Sequence, residues 1–214
     1  MTRTAVSPPL VGYFGYGSLV NAATHRTAIV EALPARLKGW RRCWRPRPDM
    51  PGFPAALLTV RRDPEAVCDG LLVIDRAENL AAVDAREARY RRLPLTADDL
   101  ETRGTASACP MFVYVAEDEA PPHPEPPNIL RSYLDAVLQG FLAVHGEAGL
   151  RRFIAETEGF ETPIHDDSAS PLYPRAVTLA EAERVLFEAL LAERRAGAAR
   201  AAPDGPVPPG LISL

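Results

Sequence analysis

Two features of this 214-residue chain place chemistry-bearing residue types where they could act together. The first is the run Val11-Gly12-Tyr13-Phe14-Gly15-Tyr16-Gly17-Ser18-Leu19, an apolar strand that breaks into a loop with glycines on alternate positions. Glycine lets a ligand approach the main chain closely, and successive N–H groups in such a loop form a concave nest for an anion. The loop is therefore a candidate cradle for a carboxylate or a phosphate. The second is Glu87. Spacing predicts a helix over about Ala77–Tyr90, in which Leu80, Val83 and Tyr90 share one face. Glu87 falls within that face, with Asp84 beside it. A buried charge is costly unless paired, and desolvation moves a carboxyl toward the range where it takes and returns protons. Glu87 is thus a candidate general acid/base. The alternative is a solvated ion pair with Arg91 one turn on, worth roughly 0.2–0.5 kcal/mol.

The elements that must hold these residues divide the chain in two. Before Pro121 the pattern is mostly strand, with candidates at Val11–Gly15, Ala35–Trp44, Ala55–Val60, Cys68–Ile74 and Pro110–Val115. These runs are short and do not alternate with helices. They predict an α+β fold built on a small, mainly antiparallel β-barrel flanked by helices. Residues 1–120 form the expected barrel domain. The segment 121–127 is a proline-rich connector, because proline lacks a donor N–H and disfavours helix before it. Residues 128–196 read as an added C-terminal helical region packed on the same domain, and 197–214 as a proline-rich tail. In that region Asn128 is the expected N-cap of a helix carrying Ile129, Leu130, Tyr133, Leu134, Val137, Leu138, Phe141 and Leu142. A short helix over about Glu147–Thr157 follows. A last one opens on the capping box Thr178-Leu179-Ala180-Glu181, with Val185, Leu186, Ala189 and Leu190 as its apolar stripe.

Composition narrows the function classes. A net charge of -4 argues against a general nucleic-acid binder. Cys43, Cys68 and Cys109 are odd in number and far apart, which suggests neither a disulfide framework nor a CxxC metal site. The N-terminus lacks a signal-peptide core, and no apolar run approaches a membrane span. A cytoplasmic protein with no membrane partner is expected; the oligomeric state is not readable.

Several other constellations compete. Ser18 as a nucleophile lacks the G-x-S-x-G elbow and a placed histidine. Gly12, Gly15 and Gly17 do not form G-x-G-x-x-G, so no dinucleotide cofactor is implied. His165-Asp166-Asp167 is either part of a metal site or a polar turn, and His25, His123 and His145 have no ligand spacing to join it. Tyr173, before Pro174, is either a candidate substrate contact or a packed tyrosine. Arg36 to Arg47 interleaves Arg36, Lys38, Arg41, Arg42, Arg45 and Arg47 with Trp40 and Trp44. That pattern suits RNA or a barrel strand with its aromatics inward and its arginines outward.

Tyr16-Gly17-Ser18-Leu19 after an N-terminal strand, followed about seventy residues later by Arg86-Glu87, resembles the gamma-glutamyl cyclotransferase superfamily. Gly39-Trp40-Arg41-Arg42, Pro51-Gly52 leading to Leu57-Leu58, and Cys68-Asp69-Gly70 resemble its strand motifs, in the order of its ChaC-type branch. The resemblance covers about residues 11–116 and implies a small β-barrel flanked by helices. It also implies a cofactor-free, metal-free reaction on a small gamma-glutamyl substrate, giving 5-oxoproline and a free amine. The matching residues imply Glu87 as general base and then general acid. The Gly17, Ser18 and Leu19 N–H groups would hold the glutamyl alpha-carboxylate, and Tyr16 would line the pocket. The region after Pro121 departs from the family pattern and reads as a lineage-specific addition that could shape the leaving-group side. A non-catalytic binder of a small anion or glutamyl metabolite on the same fold is the alternative. A Glu87 buried against a cavity beside Ser18 would favour the enzyme; an exposed Glu87 would favour the binder.

Overall fold

The computed structural model describes residues 8–47, 53–102, 109–116 and 125–201, with side chains described for all of these except Arg47 and 198–201. In chain order the elements are β1 (Leu10–Gly15), β2 (Glu31–Arg47), β3 (Ala55–Arg76), α1 (Leu80–Arg86), β4 (Tyr90–Leu95), β5 (Leu100–Thr102), β6 (Met111–Ala116), β7 (Ile129–Leu130), α2 (Arg131–Glu156), β8 (Ile164–His165) and α3 (Glu181–Ala201). The fold is α+β. A six-stranded sheet runs β4-β6-β1-β3-β2-β5, and β7 and β8 form a separate pair. Within the large sheet only β1 and β6 run parallel; its other ladders are antiparallel.

The expected barrel is not closed among the described residues, because β4 and β5 are the sheet's two edges and do not pair with each other. The expected strands at Ala55–Val60 and Cys68–Ile74 are one strand, β3, which pairs along nearly its whole length with β2 as a long hairpin. Its polar middle, Arg61 to Glu65, is the partly or fully exposed part of the strand, so polarity there marks solvent rather than a turn. Pro51-Gly52, the connector residues 121–124 and the tail residues 202–214 lie outside the described residues.

A β-bulge decides how β2 faces the core. The register shifts between Lys38 and Trp40, and Gly39 sits at φ 74°, a left-handed angle that glycine adopts without a Cβ penalty. Before the bulge Ala35 and Leu37 are buried; after it Trp40, Arg42 and Trp44 are. The expectation of inward aromatics and outward arginines therefore fails at Arg42, which shares the tryptophans' face. Arg42 Nη1 donates to the carbonyls of Asp69 (2.8 Å) and Tyr16 (3.3 Å), and its Nε donates to Thr157 Oγ1 (3.1 Å). Its guanidinium lies over the Phe141 and Phe153 rings. Carbonyl acceptors and aromatic faces offset the desolvation of this charge. Arg36 and Arg41 do face outward, on Asp69 and Asp63 respectively.

The helices also differ from expectation. Asn128 is no N-cap: Ala56 N–H donates to its carbonyl, it bridges β3 at Ala55, and α2 starts after Leu130. The two expected helices merge into α2, interrupted at Gly146 (φ 66°). In α3 the buried residues are Phe187, Leu190 and Leu191, whereas Val185 of the expected stripe is 61% exposed. The cap is displaced as well, since Glu183, not Glu181, reaches back to accept from Ala180 N–H (2.8 Å). One apolar cluster includes Tyr13 and Phe14 of β1, Leu72 and Ile74 of β3, Leu134, Val137 and Phe141 of α2, and Phe187 of α3. No helix among the described residues is long and apolar enough to cross a membrane.

Candidate functional site

Strand β1 ends at Gly15, and the chain turns through Tyr16 and Gly17 into a 3₁₀ turn, Ser18–Val20. The first hydrogen bond of that turn runs from Val20 N–H to Gly17 O (2.9 Å). The N–H groups ahead of it have no acceptor within the turn, as at any helix start. Glycine is required at position 17 for space: a Cβ there would lie 2.9 Å from the Tyr133 hydroxyl and 3.2 Å from Leu58 Cδ2. The loop is braced from three sides. Arg42 holds the Tyr16 carbonyl. The Tyr16 hydroxyl donates to Tyr114 O (2.7 Å). Asn21 Nδ2 donates to the Ala136 carbonyl of α2 (2.8 Å).

Glu87 reaches this loop, but by a different route from the one its helical spacing suggests. Helix α1 ends at Arg86, and Glu87 is its C-cap, with its N–H on Val83 O (3.0 Å). Tyr90 N–H closes back on Glu87 O (2.8 Å), and the chain leaves as β4. Tyr90 is thus a strand residue paired with Ala116, not the end of a helical face. Antiparallel pairing of β4 with β6 overrides the helical period there. The carboxylate still turns inward: its side chain is 15% exposed and pairs with Arg86 Nε at 3.0 Å. Arg86, also buried, donates to Thr24 O (2.9 Å), Thr24 Oγ1 (3.0 Å) and Ser18 Oγ (3.0 Å). One guanidinium therefore locks Glu87 and the loop into a fixed relation.

Tyr16, Gly17, Ser18, Leu19 and Glu87 line one small cavity of about 30 Å³, together with Leu58, Tyr90, Tyr114 and Tyr133. It adjoins a larger cleft of about 310 Å³, to which Ser18, Glu87, Tyr90 and Tyr133 also belong and to which Tyr173 and Arg175 contribute. The inner lobe has room for roughly one water-sized group, such as a carboxylate oxygen or an ammonium; the outer cleft has room for a small organic molecule. Every residue expected at the site from sequence faces one of these two spaces. Spacing alone did not single out Tyr114 and Tyr133. Burial raises the phenols of Tyr16 and Tyr133 above the usual tyrosine range, and the charge of Glu87 adds to both shifts. The Tyr114 phenol is raised by burial and by its hydrogen bond to Asp84 (2.7 Å). All three stay protonated at neutral pH and can act only as neutral hydrogen-bonding groups. Their tyrosine type was the available signal, but Tyr133 read as part of an apolar helix stripe.

The other candidates fall elsewhere. The His165 ring packs at a tilt against Phe53 (4.7 Å between ring centroids). Asp166 bonds Ser168, and Asp167 accepts from Ser132 and Leu172. Among the described residues no three His, Cys, Asp or Glu side chains gather as a metal site.

No family model matches the sequence, and no curated protein matches it. Solved structures are similar in fold. A gamma-glutamyl cyclotransferase is 14% identical, with a TM-score of 0.48 over 84% of this chain and 99% of that one. A glutathione-specific gamma-glutamyl cyclotransferase from yeast is 15% identical, with a TM-score of 0.44 over 87% and 97%. YkqA from Bacillus subtilis is 21% identical, with a TM-score of 0.49 over 70% of this chain and 56% of that one. The functional reading of this chain is carried by the geometry of its site.

Proposed function

We propose that this protein is a gamma-glutamyl cyclotransferase, releasing 5-oxoproline and a free amine or peptide from a gamma-glutamyl compound such as glutathione or a gamma-glutamyl amino acid. The observation that carries the reading is shared space: the largely buried Glu87 carboxylate and the glycine loop, distant in sequence, line the same small cavity and its adjoining cleft. A phosphate would be repelled by Glu87. A substrate end bearing both a carboxylate and an ammonium suits both walls.

In this reading the N–H groups of Gly17, Ser18 and Leu19 hold the alpha-carboxylate, and Tyr16 closes the inner wall. Glu87 accepts a proton from the substrate's alpha-ammonium. The freed amine attacks the gamma-carbonyl carbon and closes a five-membered ring. As the bond to the leaving nitrogen breaks, Glu87 returns the proton to that nitrogen; the second proton that the attacking nitrogen must shed passes through the freed Glu87 carboxylate to the departing amine, which leaves as an ammonium. No oxidation state changes, so the chemistry calls for positioning and proton transfer rather than a cofactor. Arg86 holds Glu87 in place through their ion pair. With Cys43, Cys68 and Cys109 all unpaired, we assign the activity to a reducing cytosol.

The test is 5-oxoproline release from a panel of gamma-glutamyl amines, gamma-glutamyl amino acids and glutathione, comparing wild type with Glu87→Gln. Release by the wild type that is lost in the variant is expected. No release from any substrate, or equal release by the variant, would overturn the assignment.

A further inference from the structure

The outer cleft has a second wall, supplied by the segment between β8 and α3. Asp167 pins that segment to the start of α2: its carboxylate accepts from Ser132 N–H (2.8 Å), Ser132 Oγ (2.5 Å) and Leu172 N–H (2.9 Å). Tyr173 N–H donates to Ser132 Oγ (3.2 Å), and the Tyr173 ring meets the Tyr133 ring edge-on at 5.0 Å. These contacts fix Tyr173, Pro174 and Arg175 along the cleft that also contains Ser18 and Glu87.

Two polar atoms on this wall are buried with no partner among the described residues: the Tyr173 hydroxyl and Arg175 Nε. Buried polar atoms in proteins are nearly always satisfied, and an unpaired buried donor costs on the order of 1–3 kcal/mol. Both residues line the same cleft, with these two atoms enclosed beneath its surface. Arg175 also forms no ion pair with a carboxylate among the described residues. Arg86, the guanidinium of the opposite wall, is already engaged by Glu87, Ser18 and Thr24. The cleft that contains Ser18 and Glu87 is therefore also lined by an arginine with no carboxylate partner among the described residues and by a tyrosine with an unpaired hydroxyl.

We propose that Tyr173 and Arg175 form a leaving-group subsite that binds a carboxylate, so that the substrates are gamma-glutamyl amino acids or peptides rather than gamma-glutamyl derivatives of plain amines. The inference rests on the cyclotransferase reading. With the glutamyl end seated between the loop and Glu87, the leaving amine extends into the outer cleft. A guanidinium there favours a leaving group that ends in a carboxylate and disfavours a cationic one, such as a polyamine. An amino acid and a dipeptide share this chemistry and differ only in how far the carboxylate lies from the scissile bond.

The experiment compares gamma-glutamylalanine with gamma-glutamylalaninamide, and glutathione with its glycinamide, in wild type, Arg175→Gln and Arg175→Lys. Calorimetric binding is measured beside 5-oxoproline release. The wild type is expected to favour each acid over its amide by at least about tenfold in kcat/KM. In Arg175→Gln that ratio falls to about one, and Arg175→Lys recovers part of it. The pair with the larger ratio identifies the amino-acid or the dipeptide leaving group. A ratio of one in wild type, or a ratio unchanged in Arg175→Gln, overturns the subsite. If Arg175→Gln fails to fold, Arg175→Lys carries the test: a wild-type ratio of one, or a ratio undiminished in Arg175→Lys, overturns the subsite. Equal turnover of acid and amide sinks the subsite and leaves the cyclotransferase reading standing. Selective binding of the acid with no 5-oxoproline from any substrate does the reverse. Neither turnover nor selective binding sinks both.

Discussion

On the wall that carries Glu87, the charged and phenolic side chains are tied into hydrogen bonds and an ion pair. Arg86 alone reaches Glu87, Ser18 and Thr24, Arg42 holds the Tyr16 carbonyl, and the Tyr16 hydroxyl is on Tyr114. On the wall that carries Tyr173, one carboxylate, Asp167, anchors the segment, and the Tyr173 hydroxyl and Arg175 Nε have no partner among the described residues. Saturated polar contacts fix geometry to a fraction of an ångström, which proton transfer and ring closure need. Unsatisfied ones are available to a ligand. On the proposed reading, the first wall serves the chemistry and the second the selection among leaving groups.

That contrast can be broken from either side. The largest effect is expected at Glu87. Glu87→Gln keeps the shape and removes the base, and 5-oxoproline release should fall by roughly 10²–10⁴-fold with an unchanged circular dichroism spectrum. A variant within threefold of wild type would remove proton transfer from that wall. Gly17→Ala comes next. Its Cβ would meet the Tyr133 hydroxyl at 2.9 Å, so the loop or the ring must shift. We expect a loss in kcat/KM of about 10²-fold and only a small change in melting temperature.

Arg86→Ala removes three hydrogen bonds and an ion pair from a side chain that is 8% exposed. It should lower stability by roughly 2–3 kcal/mol in urea denaturation, whereas Arg175→Gln should change stability little. Equal losses at the two arginines would erase the difference between the walls. The smallest effect is at Asp167. Burial pushes its carboxyl up, but the hydrogen bonds from Ser132 and Leu172 outweigh that and hold it below the usual carboxylate range. Its contribution is therefore complete above the unfolded value of about 3.9 and is lost as pH falls through the lower folded value. Asp167→Asn should cost about 1 kcal/mol at pH 7, and the gap to wild type should shrink below about pH 4. A pH-independent gap in urea midpoints would show that the Asp167 charge does not hold the second wall.

The first wall was far more legible in the sequence than the second. Gly17 and Ser18 sit in one short loop after an apolar strand, and local spacing carries that information. Glu87 was found by a helical periodicity that is only half real: Leu80 and Val83 belong to α1, whereas Tyr90 belongs to β4. The carboxylate faces inward because it caps a helix that turns back at once into a strand, a consequence of β4 pairing with β6. Arg42 was misread because a single bulge at Gly39 reverses which residues of β2 face the core, and alternation cannot announce its own interruption. The second wall depends on Asp167 meeting Ser132, 35 positions away, across the join of β7 and α2. Tyr173 could be singled out by type, but nothing local marks Arg175 as unpaired. That property exists only once the segment has docked.

The most direct test of the central claim is a crystal structure of Glu87→Gln with gamma-glutamylalanine bound. The account predicts the glutamyl alpha-carboxylate on the N–H groups of Gly17, Ser18 and Leu19, with the alpha-amine within hydrogen-bonding reach of residue 87. A ligand seated elsewhere, or one bound in this cleft with its glutamyl end turned away from the loop, would contradict it.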